Sequence, residues 1–192
     1  MNEDLKYRKA EPADAERIME IIRQAQAQMR ALGSLQWQDG YPARADIDRD
    51  IARGYGYVFE KSDAAENPAA AETPQKYDKG TVPGGVIAYG AVVFDGEPAY
   101  GAIDGAWLTG GDYVVLHRLA VADGEQCRGV AAEFMRRTEA LARGRGVGSF
   151  RVDTNFDNRY MLRMLERLRF AYCGKIIYES GERLAFEKPL EA

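Results

Sequence analysis

The chain has 192 residues, of which 46% are hydrophobic and 29% are charged, as expected for one globular domain that buries its own core. A formal net charge of -4 argues against a general nucleic-acid binder, and no apolar run approaches the roughly 20 residues that span a bilayer. The two cysteines (Cys127 and Cys173) and the single histidine form neither a disulfide framework nor a metal-ligand pattern. Because no secretory signal is recognisable, we expect a cytoplasmic protein. The charge, the short apolar runs and the few cysteines and histidines predict that it has no nucleic-acid, membrane or metal partner.

The first half of the chain alternates between strand-like and helix-like segments. Leu5–Lys9 alternates apolar and charged residues and is predicted as a strand. Pro12 suits the first turn of a helix, in which apolar side chains recur at helical spacing up to Gly33. The other elements predicted here are a shorter helix and two strands, at 45–53, 56–60 and 86–94.

The segment 61–83, which precedes the last of these strands, has a different composition. It is rich in Ala, Pro, Glu, Lys and Asp and has almost no large apolar side chain. Such a segment buries too little apolar surface to offset the entropy lost on ordering it. We therefore predict a mobile insertion, dispensable for the chemistry, inside a single domain that spans residues 1–192.

The second half predicts the remainder of an α/β fold. A long loop rich in Gly and aromatic residues, 95–111, leads into a strand at Tyr113–Val121. The helix predicted at 130–145 has apolar residues along one face. The remaining elements are a strand, a helix and a hairpin with Gly181 in its turn: Ser149–Thr154, 159–168, 172–178 and 183–187. This order predicts a sheet covered by helices.

The junction between the strand at Tyr113–Val121 and the next helix is the most informative stretch. Its residues Gln126–Ala131 read QCRGVA. The first turn of a helix has unpaired N–H groups at the positive end of the helix dipole, and small residues at 129, 131 and 132 let a phosphate approach them. From Arg118 to Arg169 there are eleven arginines and seven acidic residues. Although solvated helix faces explain many arginines, this excess favours an anionic ligand, and we predict a pyrophosphate site.

This stretch resembles the GNAT superfamily of acyl-CoA-dependent N-acyltransferases. Gln126–Ala131 fits the Q/R-x-x-G-x-G/A motif of that family, between a hydrophobic strand and an amphipathic helix. The sequence VDTN and a helix that begins at Asn158 follow, as they do in the family. The resemblance implies a mixed central sheet flanked by helices, in which Tyr113–Val121 and Ser149–Thr154 splay apart to form a groove for acetyl-CoA.

The resemblance also implies which residues bind acetyl-CoA. The backbone of one strand would pair with the pantetheine amides, and the N–H groups of the turn and first helical residues would hold the pyrophosphate. Asn155 and Asn158 stand where the family uses an asparagine to reach the pantetheine, and both also suit the cap of a helix. The predicted cofactor-binding residues are Leu119, Ala120, Val121, Gln126, Arg128, Gly129, Val130, Ala131, Ala132, Asn155 and Asn158.

Catalysis needs a base, because an amine attacks a thioester only when it is neutral. Alternation places His117 on one face of its strand with Leu119 and Val121, where some family members carry a base; a half-buried structural histidine is the alternative. The family often has a tyrosine as the acid in the final helix, but Leu165 stands at that position here. Other side chains that carry a proton, each also suited to packing, are Tyr160, Tyr172, Cys173 and Tyr178.

Two clusters are predicted to form the acceptor pocket. One contains Trp37, and the other contains Tyr100, Asp104 and Trp107 from the long loop. Aromatic side chains near an acid bind cationic amines, although loop anchoring explains them equally well. The predicted function is acetyl transfer to a primary amine, either a small molecule or a peptide, by direct attack in a ternary complex. A non-catalytic acyl-CoA-binding or sensing module is the alternative, and the oligomeric state stays open, with a homodimer as one possibility.

Overall fold

The structure is a computed structural model that describes residues 5–62 and 85–190. The predicted insertion at 61–83 lies outside these residues apart from its first two positions, and Lys61 is the last residue of a strand. Within the described part of the chain, no helix is both long and apolar enough to cross a membrane.

Strands and helices follow the predicted order along the described residues. The strands are β1 (Leu5–Lys9), β2 (Gly56–Lys61), β3 (Gly85–Val93), β4 (Asp104–Gly105), β5 (Tyr113–Val121), β6 (Ser149–Thr154), β7 (Ala171–Tyr178) and β8 (Gly181–Pro189). The α-helices are α1 (Ala15–Ala31), α2 (Arg44–Ala52), α3 (Val130–Gly144) and α4 (Arg159–Arg167). Two short 3-10 helices are Pro12–Asp14 and Pro98–Ala102. The sequence prediction missed β4 and the second of these 3-10 helices, both within the segment predicted as a long loop.

The strands form one mixed sheet in the order β1-β2-β3-β5-β6-β8-β7-β4. Strands β5 and β6 are parallel, and the other neighbouring pairs are antiparallel. Helix α1 buries Ile18 and Ile22 in a core with Val58, and α3 buries Phe134 in a second core with Phe150. Helices therefore cover both faces of the sheet, which confirms the predicted fold class.

Strands β5 and β6 separate after three paired positions. The parallel register joins Tyr113 to Ser149, Val114 to Phe150 and Val115 to Arg151, and goes no further. Residues 116–121 continue along β3 instead, as residues 152–154 continue along β8. The predicted splayed groove is therefore present between these two strands.

A β-bulge in β5 changes which side chains face each side of the sheet. Arg118 has a φ of 57°, and the register with β3 shifts there, so that one strand contributes an extra residue. Such an extra residue reverses the alternation beyond it. Leu119 therefore packs on the α3 side, whereas His117 follows Val115 on the opposite side. The prediction that His117 shares a face with Leu119 and Val121 is wrong for this reason.

A buried carboxylate anchors the loop between β4 and β5. Glu187 accepts hydrogen bonds from Ser149, from the Thr109 hydroxyl at 2.6 Å and from Arg151 at 3.1 Å. The Arg151 guanidinium lies 4.3 Å from the centre of the Trp107 ring and 3.9 Å from that of Tyr113. Burial alone would raise the pKa of Glu187, but these hydrogen bonds and the Arg151 charge outweigh it and hold the pKa below its ordinary value.

This lowered pKa predicts an acid-sensitive contribution to stability. A carboxyl group with a lowered folded-state pKa stabilises the fold above its unfolded-state pKa, and the contribution is lost as the pH falls towards the folded-state value. We expect Glu187→Gln to lower the free energy of unfolding by about 1–3 kcal/mol at pH 7, because its hydrogen bonds lose their charge while Arg151 keeps its aromatic neighbours. The deficit should shrink as the pH falls below about 4. Chemical denaturation across this range measures it.

The exposed Glu182→Gln variant is the matched control, because the Glu182 carboxylate lies at the surface and pairs with the exposed Lys175. It should change the free energy of unfolding by less than about 1 kcal/mol at any pH. A Glu187→Gln deficit that grows on acidification would contradict the prediction.

Candidate active site

A cavity of about 660 Å³ occupies the opening between β5 and β6. Residues 116–119 of β5 and 152–154 of β6 line its two sides. The loop after α1, the end of α2, the loop after β3 and the β7–β8 turn surround the rest of it. Their side chains at the cavity include Trp37, Tyr41, Arg53, Glu97, Tyr178 and Arg183.

His117 faces this cavity together with a carboxylate that the sequence analysis did not single out. Its Nε2 lies 3.2 Å from Oε2 of Glu97, and both side chains are about one-fifth exposed, at 20% and 23%. The hydrogen bond to His117 is the largest cause that lowers the pKa of Glu97, so that this residue is an anion at neutral pH. With Nε2 directed at Glu97, Nδ1 is the nitrogen that can accept a proton.

A buried ion pair forms one wall of the cavity and joins the bulge of β5 to α2. Arg118 donates to both carboxylate oxygens of Asp50, at 2.8 and 2.7 Å, and to the Tyr41 hydroxyl at 2.6 Å. Tyr89 also donates to Asp50, at 2.6 Å, and Asp50 is only 4% exposed. Burial would lower the pKa of Arg118, but Tyr41 and Asp50 outweigh it and raise that pKa above its ordinary value. The local sequence carried no signal of this pairing, because its partners are 68 residues apart.

The predicted phosphate turn lies at the start of α3. Gly129 precedes the first helical residue with a φ of 80°, and a Cβ added there would have no heavy atom within 4 Å. The side chains of Val130 and Ala132 are buried, so that only their backbone N–H groups are suited to a ligand. Gln126 instead donates to Asp123 at 3.0 Å, and Arg128 is exposed. The geometry leaves room beside the first turn, and the pyrophosphate site stays a prediction.

The two asparagines occupy different environments. Asn158 accepts from the N–H of Met161 at 3.1 Å, which caps α4, and its amide group donates to Gln36 at 3.2 Å while lining the cavity. Asn155 is buried, and its Oδ1 has no hydrogen-bond partner among residues 5–62 and 85–190. Asn158 therefore caps α4, and the cofactor contacts of both asparagines stay predictions.

The structure separates the two clusters predicted to form the acceptor pocket. Trp37 lines the cavity, but Tyr100, Asp104 and Trp107 do not. Tyr100 is 1% exposed and donates to Asp153 at 2.6 Å, and Trp107 donates to the Tyr100 carbonyl at 2.9 Å. Asp104 is exposed in β4, opposite Lys175. This corrects the predicted pocket: the aromatic pair packs behind Asp153, and Asp104 lies at the edge of the sheet.

The position at which the family often has an acid is buried. Leu165 is 0% exposed and packs in the core with α3. Tyr160 and Tyr172 are exposed and are not among the lining residues, and Cys173 is buried. Tyr178 does line the cavity, with its hydroxyl 3.4 Å from Asp153. Burial, followed by the charge of Asp153, raises the pKa of Tyr178 well above its ordinary value, so this residue stays protonated.

Comparison with known proteins gives one consistent result. Residues 29–170 match the model of the Acetyltransferase (GNAT) family. A GNAT family acetyltransferase from Streptococcus agalactiae is 32% identical, with a TM-score of 0.79 and coverage of 99% of this chain and 98% of that one. The ribosomal-protein-S18-alanine N-acetyltransferase from Escherichia coli shares the fold at 13% identity, with a TM-score of 0.60 and coverage of 98% and 95% respectively. No curated protein matches the chain.

Proposed function

Since this chain belongs to the GNAT acetyltransferase family, we propose that it transfers an acetyl group from acetyl-CoA to a primary amine by direct attack in a ternary complex. The observation that carries the proposal is the opening between β5 and β6. Along this one groove lie a strand edge to which no described residue pairs, a histidine–carboxylate pair and, just beyond the strand, the N-terminus of a helix.

The described residues fit acetyl-CoA at two points. Ala120 and Val121 pair with β3 on one side, and Leu119 lies in the bulge. Among the described residues no strand pairs with their other edge, which is available to the pantetheine amides. The space beside Gly129 brings a pyrophosphate within reach of the N–H groups at 130–132, where the helix dipole favours an anion. When bound, acetyl-CoA supplies the acetyl group as a reactive thioester.

The phosphate turn is tested by adding a negative charge. Gly129→Glu places a carboxylate beside the first turn of α3, and we expect it to weaken CoA binding by roughly tenfold or more because two anions then compete for the same N–H groups. Isothermal titration calorimetry with CoA measures this affinity.

Gly129→Ala is the matched control, because it carries the same penalty for a positive φ without the charge. Its CoA affinity should stay within about threefold of the wild-type value. Equal affinities for Gly129→Glu and the unmodified chain would show that the pyrophosphate lies elsewhere.

Proton removal from the acceptor is assigned to His117. Glu97 fixes the imidazole ring through Nε2, and Nδ1 takes the proton from the incoming ammonium. The Glu97 carboxylate then stabilises the imidazolium that forms, as the carboxylate does in the histidine–carboxylate pairs of other enzymes. Because Leu165 has no proton to donate, the departing thiolate takes its proton from solvent or from the protonated base.

The buried Leu165 also favours a second candidate function, a non-catalytic module that binds or senses acyl-CoA. The two candidates differ in turnover. A panel of primary amines is incubated with acetyl-CoA and the protein, while free thiol is followed by absorbance and products by mass spectrometry. Thiol release that depends on an amine and yields the acetylated amine supports the transferase. Tight CoA binding without turnover for any amine would support the binding module instead.

A further inference from the structure

The outer part of the cavity carries charges of both signs. If the parallel register of Val115 with Arg151 is continued, His117 of β5 comes opposite Asp153 of β6 across the opening. Glu97 stands behind His117, and both carboxylates line the cavity. Asp153 therefore faces the His117–Glu97 pair across the opening, at the position proposed for the reacting amine.

Asp153 is held so that one oxygen is available to a ligand. The hydroxyls of Tyr100 and Tyr178 both point to Oδ1, at 2.6 and 3.4 Å. Since each hydroxyl donates, the carboxylate is fixed as an acceptor and Oδ2 is the oxygen that can meet a cation. An ammonium group, with its three donors, suits this oxygen.

Two guanidinium groups at the same cavity have only neutral partners. Arg183, in the β7–β8 hairpin, donates to the carbonyl of Glu182 at 3.1 Å and to the Ser180 hydroxyl at 3.2 Å. Arg53, just after α2, lies near the hydroxyl of Tyr55, which donates to Asp95. Among residues 5–62 and 85–190, neither forms an ion pair with a carboxylate. This distinguishes both from Arg118, whose charge Asp50 neutralises.

Resting on the proposed acetyl transfer, we infer that the acceptor is an amino carboxylate, such as a free amino acid. Its ammonium group binds Asp153 opposite His117, and its carboxylate binds Arg183 and Arg53. A planar carboxylate matches the paired donors of a guanidinium, whereas a purely cationic amine would leave both arginines without a counter-charge. A peptide N-terminus has an amide in place of that carboxylate and lacks the same match.

The test compares each common amino acid that carries a primary amine with its own carboxamide and with the amine that lacks the carboxyl group. The affinity of each compound is measured by calorimetry on the protein saturated with CoA, because CoA has no acetyl group to transfer. The KM of each compound is measured with acetyl-CoA. We expect at least one amino acid to bind with an affinity roughly tenfold or more above that of its carboxamide, and its KM to be lower by a similar factor.

Arg183→Gln should remove this preference, because it weakens the binding of the amino acid and leaves the binding of its carboxamide unchanged. Arg136→Gln, at an exposed position on α3 paired with Glu133, is the control and should keep the preference. Carboxamides or simple amines that bind as well as amino acids would overturn the inference, as would the absence of binding by any amino acid or an equal effect of Arg183→Gln on both ligands. Amino-acid binding without transfer would overturn the acetyl-transfer proposal but support an amino carboxylate as the ligand. Transfer to amines without a preference for a carboxylate would support acetyl transfer but overturn the amino carboxylate as the acceptor.

Discussion

His117→Ala should lower kcat by roughly 100-fold or more, with the CoA affinity within about twofold of the wild-type value. The imidazole is the group that accepts the proton of the amine, whereas the residues proposed to bind CoA lie further along β5 and at α3. Steady-state rates with an amine identified from the panel measure the first effect, and calorimetry with CoA measures the second.

Glu97→Gln provides a graded comparison for this variant. The amide oxygen still accepts from Nε2, but the charge that stabilises the imidazolium is lost, so we expect a smaller loss of kcat than in His117→Ala. A structural His117 would instead give a less stable protein whose folded fraction keeps the full rate. That outcome would leave proton removal to solvent, or to Asp153 or Asp39, which also line the cavity.

Asp50→Ala should reduce the free energy of unfolding by about 3–5 kcal/mol, because it leaves the Arg118 charge buried without its partner. The Tyr89 hydroxyl loses its acceptor in the same variant. Urea denaturation followed by circular dichroism measures the change. Asp48→Ala is the matched control in the same helix: Asp48 is exposed and contacts Arg44, so its loss should cost less than about 1 kcal/mol.

Combining Asp50→Leu with Arg118→Met separates this interpretation from a simple packing defect. Removing both charges at once leaves no unpaired ion in the core, so the double variant should be more stable than Asp50→Ala. A double variant as unstable as the single one would show that the loss comes from packing. An Asp50→Ala variant as stable as the Asp48→Ala control would contradict the role of the buried pair.

Local sequence patterns were sufficient for the strands that form the groove. Both Tyr113–Val121 and Ser149–Thr154 have the predicted bounds, because hydrophobic runs between turn residues define such strands without reference to distant partners. The N-terminus of α3 was likewise predicted from Gly129 and the small residues around it. These features depend on neighbours a few residues away in the chain.

Features that depend on distant partners were not predictable in this way. An arginine seldom adopts a positive φ, and Arg118 does so where its side chain is bound to Asp50 of α2. The bulge reverses the alternation between His117 and Leu119, so the prediction that these two side chains share a face of the sheet is wrong. Strand β4 exists because Gly105 and Gly174 approach so closely that a Cβ on Gly105 would lie 2.1 Å from a backbone oxygen, and the two glycines are far apart in sequence. Glu97 could not be paired with His117 from the sequence for the same reason.

The most direct test of the central claim is a crystal structure of the protein with CoA. We predict that the pantetheine runs along the free edge of β5 at 119–121, with the pyrophosphate at the N-terminus of α3. The thiol should then point into the cavity towards His117 and Asp153. CoA bound outside the opening between β5 and β6, or with its thiol directed away from His117, would contradict the account.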